Sequence, residues 1–89
     1  MHHNLKMFTP NFQPVVNGVK RHDIRLNDRD YQAGDTVTLF EGEHSDGAFI
    51  KSGRTVSAKI SYVDTYGVCE GYVALSYSKV GMVIAEGAV

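Results

Sequence analysis

Residues 20–30, "KRHDIRLNDRD", set Lys20, Arg21, Asp23, Arg25, Asp28, Arg29 and Asp30 around just two aliphatics, Ile24 and Leu26. Cations and carboxylates spaced this closely fix one another's rotamers through charge-assisted hydrogen bonds. Such a ladder offers guanidinium or ammonium groups to a phosphate or ribose edge, and a carboxylate or amide to the edge of a base. On the two-residue period of a strand, Arg21, Asp23, Arg25 and Asn27 share one face, while His22, Ile24 and Leu26 share the other. With the aliphatics turned to the core, the ionic face is expected to project outward beside Lys20. The bland explanation competes strongly: alternating charges on a half-buried strand are ordinary, and exposed ion pairs contribute only about 0–1 kcal/mol.

Other site chemistries find no support. His3 and His22 stand at no ligand spacing from another His, Cys or carboxylate, so neither a metal nor a cofactor is expected. The chain lacks a glycine-rich phosphate loop, a zinc-ligand quartet and a strand-Ser-turn nucleophile. Nine Lys+Arg against ten Asp+Glu give a net charge of −1, which supplies no general field for duplex nucleic acid and leaves only local contacts. Tyr62, Tyr66, Tyr72 and Tyr77 could form a stacking platform for bases, although aromatics on small barrels more often pack the core or rim. Cys69 is the single cysteine and rules out an internal disulfide, and the apolar runs are too short for a bilayer span or a signal segment. A cytoplasmic protein without membrane contact is the expectation.

The elements that must position these residues follow from periodicity. In "HNLKMF", His3, Leu5 and Met7 alternate with Asn4, Lys6 and Phe8, as in a strand with one buried face. "TPNFQPVVNG" then predicts a short helix with Thr9 as cap, Pro10 in its first turn and Gly18 as its stop. Residues 22–27 form the ionic strand, and "NDRDYQAGD" an ordered loop with Tyr31 packed beneath it. "TVTLFEG" predicts a strand with Val37 and Leu39 on one face, and Asp46-Gly47 marks a hairpin. The next strand alternates Val56, Ala58, Ile60 and Tyr62, and a last one sets Val73, Leu75 and Tyr77 against Tyr72, Ala74 and Ser76. An 89-residue chain supports one core of roughly 12 Å radius of gyration. The expected class is α+β, mainly β: about five strands in a curled or closed barrel that hides its edges, with one N-terminal helix. Residues 1–77 make the domain; the tail, 78–89, carries strand-prone Met82–Ala85 and is expected to add a strand or a homo-oligomer contact, with a frayed terminus as the alternative.

Several motifs together resemble a known family: His3-x-Leu5-Lys6, the run Gly18-x-Lys20-x-x-Asp23-x-Arg25, then Asn27-Asp28-Arg29-Asp30-Tyr31 and Gly34-Asp35. Over residues 2–77 the chain resembles small bacterial and phage proteins of uncharacterised function in the ASCH branch of the PUA-like superfamily. The resemblance implies a PUA-like β-barrel flanked by a helix, with a cleft that binds RNA or a modified nucleotide. In a non-catalytic module of that kind, Lys20, Arg25 and Arg29 would engage a phosphate or ribose, Asp23 and Asn27 would read a base, and His3 or Lys6 would border the cleft. Asp23 stands where the family's run more usually has Glu. A related branch contains amidohydrolases acting on acetylated cytidine through a lysine, a threonine three residues later and a glutamate. Here Lys20 matches the lysine, Asp23 occupies the threonine position and Glu70 is the candidate for the later glutamate, so hydrolysis is the alternative reading. A third is a protein-interaction domain.

Overall fold

The computed structural model describes residues 1–85. Its elements are β1 (His2–Phe8), α1 (Thr9–Val16), β2 (His22–Leu26), β3 (Thr36–Ser45), β4 (Ala48–Asp64), β5 (Tyr72–Ser78) and β6 (Ile84–Ala85), a mainly β fold with one short helix. The sheet order is β1-β3-β4-β5-β2, with β6 beside β4. β1 runs parallel to β3, and every other pairing is antiparallel.

Alternation turns one row of each long strand into the core: Leu5 and Met7 from β1, Val37 and Leu39 from β3, Val56, Ala58 and Ile60 from β4, and Val73, Leu75 and Tyr77 from β5. Phe12 and Val15 of α1 cover this row, and Tyr31 enters it from the loop before β3. The helix begins at Thr9, one residue earlier than expected, because extended Phe8 and not Thr9 occupies the N-cap. Gly18, at φ +74°, ends the helix as expected, in a conformation that glycine adopts without penalty.

Tyr62 departs from the expected inward row. The pairing of β4 with β5 shifts between Ile60 and Tyr62, so Ile60 faces Tyr77 while Tyr62 faces Ser76. One extra residue reverses the parity of a strand. Tyr62 is therefore exposed, and Val63 packs toward the core in its place. In the tail, Ile84 and Ala85 pair with Thr55 and Arg54 of the chain's own β4. Residues 86–89 of the expected tail contact lie outside the described residues.

The expected barrel is not closed by strand pairing, since β1 and β2 end the order of the sheet. The sheet nevertheless curls far enough for side chains from the β2 side to reach β1. Arg25 Nη2 donates to the Lys6 carbonyl at 2.5 Å, and Arg29 Nη1 donates to the Asn4 carbonyl at 2.7 Å. These two guanidinium groups occupy carbonyls that an edge strand would otherwise present to another chain. The seam they cross becomes a cleft.

Candidate functional site

β2 is a strand, but its faces are the reverse of those expected. Its register sets Asp23 opposite Leu75 and Arg25 opposite Val73, both core residues of β5. Directly paired residues share a face, so the ionic side chains turn inward. Ile24 and Leu26 are consequently left outside, 58% and 52% exposed. The inward ionic groups satisfy one another. The Asp23 carboxylate accepts from Arg25 Nε at 2.5 Å and from the Tyr77 hydroxyl at 3.0 Å. Burial pushes the Tyr77 hydroxyl pKa up, and the Asp23 charge adds to the shift. Burial also works against the charge on Arg25, but the Asp23 carboxylate outweighs it and raises the guanidinium pKa, which keeps the cation charged.

Between β1 and β2 lies a cleft of about 360 Å³. β1 lines it with Lys6 and Phe8, α1 with Asn11, β2 with Asp23 and Arg25, the following loop with Arg29 and Tyr31, and β5 with Tyr72. The inward turn of β2 thus brings Lys6, Asp23, Arg25 and Arg29 together. Asp28 also borders the cleft but is only loosely paired, its carboxylate 3.9 Å from Arg29 Nε with both side chains about half exposed. Three cations face two carboxylates here, and Asp23 is already engaged by Arg25 and Tyr77. The lining therefore carries a formal net charge of +1.

The remaining sequence-derived candidates stand elsewhere. Lys20 borders a separate depression with Arg21, Tyr77 and Lys79. Glu70 is exposed in the link between β4 and β5, so Lys20, Asp23 and Glu70 do not line one cleft. Asn27 is exposed at the end of β2, where its backbone N–H bonds the Gly71 carbonyl at 2.9 Å. Of the four tyrosines expected as a stacking platform, Tyr72 alone lines the cleft; Tyr77 is buried, while Tyr62 and Tyr66 are exposed away from it. Phe8, Asn11 and Tyr31 were not singled out as site residues from the sequence. Phe8 carried a signal, since it shares the outward parity of Lys6; Asn11 carried none.

His3 is taken up by the core. Its Nε2 lies 2.8 Å from Asp35 Oδ2, and its ring meets Tyr31 edge-on at 4.8 Å. The hydrogen bonds from His3 and from the Gln32 backbone N–H hold the Asp35 carboxyl at about 2, against an ordinary 3.8. The unfolded chain thus binds this proton more tightly than the folded one. The stability contributed by Asp35 is full above its ordinary pKa and lost as pH falls through 3.8 toward about 2. Thermal melts across that range are expected to show a steep acid loss in the wild type and a shallower one in Asp35→Asn, which starts from a lower neutral Tm. Parallel acid limbs would assign the effect to other carboxylates.

Among the described residues, no group of three or more His, Cys, Asp or Glu is placed to hold a metal ion. No helix there is long and apolar enough to cross a membrane. Over 74 residues the chain is 39% identical to an uncharacterized 12.9 kDa protein in the GpA 3′ region of Escherichia phage P2, a match that covers 82% of this chain and 64% of that protein. The chain thus spans less than two thirds of that relative's length. The match of residues 2–77, which carry the curled sheet, the helix and every side chain of the cleft, shows that the chain belongs to the family described as domain of unknown function DUF3850.

Proposed function

We propose that this chain is a non-catalytic module of the ASCH/PUA-like kind that binds RNA or a modified nucleotide in the β1–β2 cleft. The observation that carries the reading is the inverted β2. Burying a leucine or isoleucine stabilises a fold by about 1.5–3 kcal/mol, yet Ile24 and Leu26 stay largely exposed while Asp23 and Arg25 face inward. A buried ion pair returns little net stability for that exchange. Local departures from the rules of folding concentrate where a protein does its work, and a ligand site accounts for this one.

In this reading, Arg25 and Arg29 present planar forks to a phosphate, and Lys6 adds a point charge. Asp23 accepts from a donor on a base edge, and Phe8 and Tyr72 flank the base. At about 360 Å³ the cleft suits one nucleotide and sits near the lower end of small-molecule sites. A curled sheet beside a helix, with its seam stitched by arginines, supports the PUA-like comparison as an open variant of that barrel. A binding role is favoured over hydrolysis because Lys20 and Glu70 stand outside the cleft.

A thermal-shift panel of natural and modified nucleosides and their 5′-monophosphates tests the proposal. A ligand at a hundred times its Kd is expected to raise Tm by about 10 °C or more in a domain of this size. Arg29→Ala should weaken that ligand roughly tenfold or more through the loss of a charged hydrogen bond. A panel in which no compound shifts the wild type further than the variant removes the proposal. Acetate released from acetylated cytidine, and lost in Lys20→Ala, would replace binding by the amidohydrolase reading.

A further inference from the structure

The outward face of β1, β3 and β4 is unusual in composition. Its register aligns Lys6 with Phe40 and Thr55, Phe8 with Gly42 and Lys51, and His44 with Phe49. His2, Asn4, Thr36, Thr38, Ser57 and Lys59 continue the same rows. No carboxylate falls in these rows, although the chain holds ten Asp and Glu. Phe8, His44 and Phe49 form one cluster, with ring centroids 5.4–6.2 Å apart. Lysines sit over the rings: Lys6 Nζ is 5.4 Å from the Phe49 centroid, and Lys51 Nζ is 4.6 Å from that of Phe40.

The outward face of a sheet that packs its other face on the core is ordinarily polar. Aromatic pairing alone explains this one poorly, since Phe8 remains 46% exposed and nearly half of its surface stays in water. A face of π-systems and cations without carboxylates complements a polyanion whose bases are unstacked. Duplex nucleic acid keeps its bases inside, and a chain of net charge −1 has no field to gather it. Lys6 and Phe8 also line the β1–β2 cleft, so the two surfaces are continuous.

We infer that this face is a base-stacking surface for single-stranded nucleic acid, and that a strand with one nucleotide in the cleft continues across it. The inference rests on reading the cleft as a nucleotide site. Successive bases lie on Phe8 and Phe49, and the lysines follow the phosphates, the mode by which sheet-borne aromatics hold unpaired bases.

Fluorescence anisotropy with labelled octauridylate, and competition by uridine 5′-monophosphate, test it. Octauridylate is expected to bind at least tenfold tighter than the mononucleotide. Phe8→Ala and Phe49→Leu should each weaken octauridylate by about fivefold to a hundredfold. Phe49→Leu, which lies outside the cleft, should leave the mononucleotide within twofold of wild type, whereas Phe8→Ala weakens both ligands because Phe8 also borders the cleft; both keep the fold intact by melting. Lys51→Ala should flatten the logarithmic salt slope for octauridylate by about 0.7. Octathymidylate fixes the sugar: equal binding assigns single strands of either kind, weaker binding assigns RNA, and both support the surface. Octauridylate that binds no tighter than the mononucleotide, or that ignores both Phe variants, overturns the surface and spares the cleft. A duplex that outcompetes octauridylate also overturns it. Octauridylate bound in a Phe-sensitive way without any mononucleotide binding overturns the cleft reading instead.

Discussion

Arg25→Leu is expected to destabilise the protein by about 2–4 kcal/mol, while Asp23→Val and Arg25→Leu together cost less than the single change. Arg25 removed alone strands the Asp23 carboxylate, 15% exposed, with the Tyr77 hydroxyl as its remaining partner. It also frees the Lys6 carbonyl on the edge of β1. An uncompensated carboxylate on the core side of a strand costs more than the pair contributed. In the double variant two aliphatics face Val73 and Leu75 instead, and water can reach the Lys6 carbonyl at the seam. Urea denaturation of both single variants and the double one should give an interaction energy of at least about 1 kcal/mol. In a domain of this size each kcal/mol moves Tm by about 4–8 °C, so melting reads the same pattern. Strict additivity would mean that Asp23 and Arg25 are not coupled on the inner face. A double variant that folds well but no longer binds a nucleotide separates the role of the pair in recognition from its role in stability.

The reversal of β2 marks the limit of what the sequence makes legible. A two-residue period says that a strand has two faces, and hydrophobicity is the usual guide to which face is inward. That guide works for β1, β3 and β5, where Leu5, Val37 and Leu75 each lie on the apolar row and in the core. In β2 the choice is made by its partner: Val73 and Leu75 hold their own row inward, and the register brings Arg25 and Asp23 with them. Nothing within residues 22–27 encodes that register. Tyr62 escapes for a related reason, since the inserted residue of a bulge leaves no trace in an otherwise regular alternation.

Distance along the chain also misleads. Lys20 is close to Asp23 in sequence, but it precedes the strand and borders the depression with Lys79. Lys6 is far from Asp23 in sequence, yet curling of the sheet brings it to the same cleft. The aromatic face was half legible, because Lys6, Phe8, Phe40 and His44 all have outward parity in their own strands. Their assembly depends on the parallel pairing of β1 with β3 and on the hairpin register that sets His44 against Phe49, both non-local. The open seam between β1 and β2 is likewise bridged by two long side chains, Arg25 and Arg29, which strand counting cannot anticipate.

Gly42→Ala is expected to destabilise the protein by about 3 kcal/mol, toward the upper end for overpacking, and to lower Tm by 10 °C or more. A Cβ at Gly42 would overlap the Ile50 carbonyl oxygen and come within 2.6–2.7 Å of the Phe49 ring. A flexible side chain could swing away from such a contact, but the oxygen belongs to the strand paired with Gly42 and cannot. The register around it is also fixed, with Gly42 opposite Lys51 just past the irregularity that follows Phe40. Gly81→Ala is the control, because its nearest neighbour would be the Ser57 carbonyl oxygen at an ordinary 3.6 Å. That change should be neutral or stabilise slightly by restricting the unfolded chain. Phe49→Ala introduced into Gly42→Ala removes the clash with the ring but not the one with the oxygen. It should recover part of the lost stability and none of the octauridylate binding. A Gly42→Ala protein that melts with the wild type would show that β3 and β4 do not approach this closely, and Phe49 would then have no fixed seat on the aromatic face.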